Sequence, residues 1–195
     1  MSLSLVKEQT ISLEKTKGSA LRAVTLGLGW DAASSGLFAT LLGRAEEIDL
    51  DASCIVMDAY QEAIDQVWFG QLKSNCGKIL HSGDNRTGDG DGDDESITVN
   101  LSELKPNVKS LVFTVNSFSG QNFTKVKNAY CRIVDADTKQ ELARINLTEQ
   151  GSHTGLIMAL LERNGSDWEF KAIGKATHGR SVNDLIDQAA QAVKA

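Results

Sequence analysis

Carboxylates alternate with glycines in one stretch of this chain, Gly83-Asp84-Asn85-Arg86-Thr87-Gly88-Asp89-Gly90-Asp91-Gly92-Asp93-Asp94-Glu95. Such a segment offers hard oxygen donors on a backbone that can curl, because glycine enters the positive-φ region without a Cβ penalty. Ca²⁺ collects roughly 6–8 oxygens at about 2.3–2.6 Å, and these residue types suit it. A charge run is more often a solvated loop. Here the donors are interleaved with flexible residues, and an apolar-alternating strand from Ser96 onward anchors one end, which favours a built site.

Other phosphate- and metal-binding loops are excluded by position. With Asp89 as the first residue of an EF-hand loop, Asp94 stands where the sixth-position Gly belongs and Asn100 where the twelfth-position Glu belongs. One Gly-Asp run does not make a calcium-binding β-helix, which needs many copies. No Gly-Lys-Ser/Thr follows, and the local charge repels phosphate, so the segment is not a P-loop.

Two further places supply carboxylates at strand ends. Asp31 follows an alternating run from Val24 to Trp30, and Asp49 and Asp51, two apart in Ile48-Asp49-Leu50-Asp51, would point to the same side of a strand. They read either as ordinary turn acids or as parts of a site in which three segments converge. An enzymatic alternative is a metal-dependent phosphoryl hydrolase on the same acidic loop, with His81, His153 or His178 as the proton carrier. A lone histidine in a loop is more often a turn or capping residue, so the binding module, not an enzyme, is the preferred reading. Direct thiol chemistry at Cys54, Cys76 or Cys131 is a weaker alternative. Their odd number and wide spacing suggest neither disulfides nor a zinc site, and Cys76 alone sits in a turn.

The elements that must position these groups are mostly strands. Ile11 and Leu13 alternate with polar residues; 97–101, 110–115 and 129–134 are short, β-branched and separated by turn signals. Segments 156–161 and 168–173 flank Asn164-Gly165-Ser166-Asp167, a hairpin turn. Only the C-terminus reads as a helix, 181–194, with Ser181 as N-cap and an apolar stripe of Val182, Leu185, Ile186, Ala189 and Val193. The expectation is a mainly β fold, an antiparallel β-sandwich with a C-terminal α-helix, formed as a single domain over 1–195. Residues 32–47 read as a surface insertion.

The 195 residues carry 41 % hydrophobic and 24 % charged side chains, ordinary for a globular protein. Of the net charge of −6, five charges are local, since six acids and only Arg86 as a base lie between 84 and 95. No basic surface remains to attract nucleic acid. With no signal-like run and no apolar stretch of about 18 residues, the expected location is the cytoplasm, without membrane insertion.

Gly27-Leu28-Gly29-Trp30-Asp31, Ile48-Asp49-Leu50-Asp51-Ala52-Ser53 and His81 to Gly88 with Gly90 to Glu95 resemble the three signature blocks of the tellurium-resistance TerD family. Gln121-Asn122-Phe123, Asn128-Ala129 and Glu141-Leu142-Ala143-Arg144 fit the same pattern. Ser74-Asn75-Cys76-Gly77, Val115-Asn116-Ser117-Phe118 and Gln150 to Gly155 look most like its TerZ branch. The resemblance implies a sandwich with a two-ion Ca²⁺ site and a role in resistance to tellurite, other chemical stress and phage or colicin attack. It also implies partners among other Ter proteins, with peripheral membrane association through TerC. Carried over residue by residue, the metal ligands would be Asp31, Asp49, Asp51, Asp84, Asn85, Asp91, Asp93, Asp94 and Glu95. Asp89 occupies a loosely specified position.

Overall fold

The computed structural model describes residues 2–14, 21–32, 49–85, 92–147 and 151–194; of Asp31, Ala32, Lys125 and Lys127 it describes the backbone alone. The insertion read over 32–47, apart from the backbone of Ala32, lies outside the described residues. So do Asp89 and Asp91.

Twelve strands are described: β1 (Leu3–Ser4), β2 (Thr10–Ser12), β3 (Val24–Ala32), β4 (Leu50–Met57), β5 (Ala63–Val67), β6 (Ile79–His81), β7 (Glu95–Val99), β8 (Ser110–Ser117), β9 (Val126–Asp135), β10 (Glu141–Asn146), β11 (Gly155–Asn164) and β12 (Asp167–Thr177). They form two six-stranded sheets with orders β1-β10-β9-β3-β7-β6 and β2-β12-β11-β8-β4-β5. The expected sandwich is therefore present. One feature differs from strict antiparallel pairing, because the two-residue β1 runs parallel to β10.

Period-2 alternation decides which side chains meet between the sheets. Leu26, Leu28 and Trp30 from β3, Ile97 and Val99 from β7, Cys131 and Ile133 from β9, and Leu50, Ala52, Cys54 and Val56 from β4 fill one buried core with Leu111, Phe113 and Val115 from β8. Buried Cys54 and Cys131 have thiol pKa values pushed well up by desolvation, which makes them inert packing groups. The hairpin expected around Asn164 to Asp167 closes β11 onto β12, with Gly165 at φ 64° in the turn.

The opposite face of the second sheet has its own apolar layer. Ile55, Met57, Val112, Ile157, Leu160 and Ile173 pack under Val182, Leu185, Ala189 and Ala192. The C-terminal element is thus amphipathic as expected, but it begins with a 3₁₀ turn over Val182–Leu185, and the α-helix, α1, spans only Ile186–Val193. The cause lies at Asp184. Its carboxylate accepts the amides of Arg180 and Ser181 and the Ser181 hydroxyl, which tightens the first turn.

Candidate metal centre

The second block of the sequence pattern enters the fold as β4, whose residues 51, 53, 55 and 57 face the helix-covered side. At the open end of that strand Asp51 is 2 % exposed, and Asp49 just before it is half-buried. Asp84 arrives from the other sheet, three residues past β6, and stays exposed. Carboxylate oxygens of Asp49, Asp51 and Asp84 lie within 4.8 Å of one another. Together with Phe69 and Phe118 they line a pocket of about 220 Å³.

Crowding of like charges has a direct electrostatic consequence. Burial first, and then Asp49, Glu95 and Asp84, push the Asp51 carboxyl up to about 8, against a small opposing effect of its hydrogen bond from Asn116. Asn116 is Asp51's direct partner across the β4–β8 ladder and donates Nδ2 to Asp51 Oδ2 at 3.3 Å and to the Arg180 carbonyl at 2.9 Å. Its Oδ1 is buried and makes no hydrogen bond among the described residues. A hard divalent cation fits the Asp49, Asp51 and Asp84 carboxylates: it needs oxygen donors and relieves the repulsion around Asp51.

Among the described side chains, those of the sequence-derived candidates Asn85, Asp93, Asp94 and Glu95 are distributed around this trio rather than within it; Asp91 and the Asp31 side chain lie outside the described residues. Asn85 follows Asp84 and donates its side-chain amide to Asp94 Oδ1 at 3.3 Å. Asp94 Oδ2 accepts the amide of Trp30 at 2.8 Å, and its own amide bonds Leu28, fastening the end of the loop to β3. Asp93 turns to the outer face of the first sheet, where Arg132 donates to both its oxygens at 2.8 and 3.1 Å and Tyr130 donates at 3.1 Å. Gly27 and Gly29 explain part of their block here. A Cβ on Gly27 would fall inside the Asp93 carboxylate, and one on Gly29 inside the Tyr130 ring. Glu95 points the other way and is fully buried between the sheets. For Asp31 the backbone pairs with Lys127 in a bulged stretch of β3 and β9.

His81, a candidate proton carrier, is 7 % exposed. Its Nδ1 accepts the Gly83 amide at 3.0 Å, so Nε2 carries the hydrogen and donates to the Ala52 carbonyl at 3.1 Å. Three residues beside the centre have no site role in the sequence reading: Asn116 and Phe118, which stand there only within a block resembling the TerZ branch, and Phe69, which meets Phe118 edge to face at 5.4 Å. Phe118 is tied to the centre by its amide, which donates to the Asp49 carbonyl at 3.3 Å.

Comparison with known proteins places this geometry in a lineage. The family model described as the TerD domain matches residues 1–188. The chain belongs to the TerD family. It is 53 % identical to the tellurium resistance protein TerZ of Serratia marcescens, over 98 % of each chain. It is 39 % identical to the stress response protein SCP2 of Bacillus subtilis (strain 168), over 96 % of this chain and 99 % of that one. The crystal structure of a TerD homologue from Streptomyces coelicolor A3(2) superposes with a TM-score of 0.69 at 22 % identity, covering 86 % of this chain and 96 % of that chain. That likeness establishes the sandwich as the TerD fold. No described helix is long and apolar enough to cross a membrane.

Proposed function

We propose that this TerD-family chain is a Ca²⁺-binding module of the tellurium-resistance and stress responses for which its relatives are named, acting by binding and not by catalysis. The observation that carries the reading is the convergence of Asp49, Asp51 and Asp84 from two sheets to within 4.8 Å, with one of the three buried. Carboxylates held this close repel, and burial strengthens the repulsion, so an arrangement of this kind is stabilised by a cation. Calcium suits it better than magnesium, since three carboxylates, each able to bind through one or two oxygens, supply donors without imposing an octahedron.

The binding reading is supported over phosphoryl hydrolysis by His81, whose two ring nitrogens are engaged with backbone groups and which is shielded from solvent. A second ion in the acidic loop, partners among other Ter proteins, a cytoplasmic location and peripheral membrane contact through TerC complete the proposal. It is tested by a pull-down from cell extract with and without Ca²⁺, alongside phosphate release from nucleotides. Calcium-dependent capture of Ter proteins without phosphate release supports the module; calcium-dependent phosphate release contradicts it.

A further inference from the structure

Three consecutive carboxylates close the acidic loop, and the last of them grips the backbone on both sides of the centre. Glu95 Oε2 accepts the amide of Ala52 at 2.7 Å, the residue immediately after Asp51. Its Oε1 accepts the amide of Asn85 at 3.1 Å, the residue immediately after Asp84. His81 makes a second link between the same two segments. Its Nε2 donates to the Ala52 carbonyl and lies 3.4 Å from Glu95 Oε2, while its Nδ1 accepts the amide of Gly83, the residue immediately before Asp84. Both side chains are fully shielded from solvent.

We propose that Glu95, backed by His81, is a positioning residue of the metal centre and not one of its ligands. It fixes the separation between the β4 end that carries Asp49 and Asp51 and the loop start that carries Asp84. Without such a link the two segments belong to different sheets, and mutual repulsion would drive their carboxylates apart. A buried carboxylate that accepts backbone N–H groups through both oxygens is held rigidly, and charge-assisted bonds of this type are among the stronger ones. Asp94 acts similarly from the neighbouring position, joining Asn85 to the Trp30 amide just before Asp31. The inference rests on the reading of Asp49, Asp51 and Asp84 as the cation site.

Glu95→Gln separates positioning from ligation. The amide retains one acceptor oxygen and turns an NH₂ group toward the other backbone N–H. In the metal-free protein, hydrogen exchange at Ala52 and Asn85 should accelerate at least tenfold. With Tb³⁺ as the probe, affinity should fall at least tenfold, while luminescence lifetimes in H₂O and D₂O report the wild-type number of bound waters. Asp84→Ala should instead add bound water and leave exchange at Ala52 unchanged. Wild-type exchange in Glu95→Gln, or one added water, would overturn the inference, and a wild-type chain that takes up no Tb³⁺ would overturn the metal reading beneath it. Should Glu95→Gln not fold, His81→Phe leaves the carboxylate and removes both imidazole bonds. Faster exchange at Gly83 with weaker Tb³⁺ binding at constant hydration then supports the clamp, and wild-type affinity overturns it.

Discussion

Asn116 stands directly opposite Asp51 in the β4–β8 ladder and donates to it across 3.3 Å, so the most buried carboxylate of the centre has a neutral amide as its partner and not a cation. Removing that amide leaves the Arg180 carbonyl and Asp51 without their donor. Asn116→Ala is expected to destabilise the metal-free protein by about 1–3 kcal/mol, the cost of stranding a buried acceptor at Asp51. Urea denaturation in chelator measures it, and an unchanged midpoint would show that the pair carries no load.

The raised Asp51 carboxyl predicts that stability, and uptake of the proposed cation, depend on pH. A folded-state value of about 8 against an ordinary 3.8 means that the native state holds a proton which the unfolded chain releases. Metal-free stability should therefore decline as pH rises between these two values and level off above the upper one. Metal uptake at pH 6–7 should expel close to one proton per ion at this centre, falling toward zero above pH 9. Calorimetry in buffers of different ionisation enthalpy reads the proton count. A count of zero at pH 6 would contradict the assignment.

Close approach at Gly27 gives a third expectation. An added methyl group there displaces the Asp93 carboxylate from Arg132, so Gly27→Ala should cost about 1–3 kcal/mol, as overpacking typically does. Wild-type stability in thermal melts would show that Asp93 does not rest on this face.

The layout of the sandwich was legible because β-branched runs and turn residues repeat along the chain: the 110–115 segment lies within β8, and the 97–101 segment overlaps β7, which starts two residues earlier and ends at Val99, with Leu101 opening a 3₁₀ turn. The pairing of Asp49 with Asp51 on one side of a strand end was legible for the same reason, since side-chain period alone places residues two apart together. Roles within the acidic loop were not. Asp93, Asp94 and Glu95 are identical in kind as oxygen donors, and only the alternation of faces sends Asp93 out to Arg132 and Glu95 inward to Ala52. Which partner waits on each face depends on strands distant in sequence. Asn116 stands in a block that resembles the TerZ branch, but its pairing with Asp51 was hidden because a single amide in an apolar strand carries no periodic signal. The helix start was misjudged by one turn, because Asp184 accepts from Arg180 as well as from Ser181 and tightens the backbone there.

Helix docking yields a fourth expectation. Leu185 is fully buried under the second sheet, and Leu185→Ala should cost about 2–5 kcal/mol by cavity formation. Because Arg180, five residues before it, accepts from Asn116 and donates to the Phe118 carbonyl, the same variant should also weaken Ca²⁺ binding severalfold. Equal Ca²⁺ affinity in the variant and the wild type would show that the helix and the centre are independent.

The most direct test of the account is calorimetric titration of Ca²⁺ into the wild-type chain and into Asp51→Asn and Asp84→Asn, with thermal melts on the same samples. The account predicts saturable binding by the wild type and an affinity at least tenfold weaker in either variant. It also predicts wild-type stabilisation of about 2.7 kcal/mol at one hundred times the dissociation constant. Wild-type chain that binds no Ca²⁺, or variants that bind it with undiminished affinity and stoichiometry, would contradict the assignment of Asp49, Asp51 and Asp84 as the metal centre.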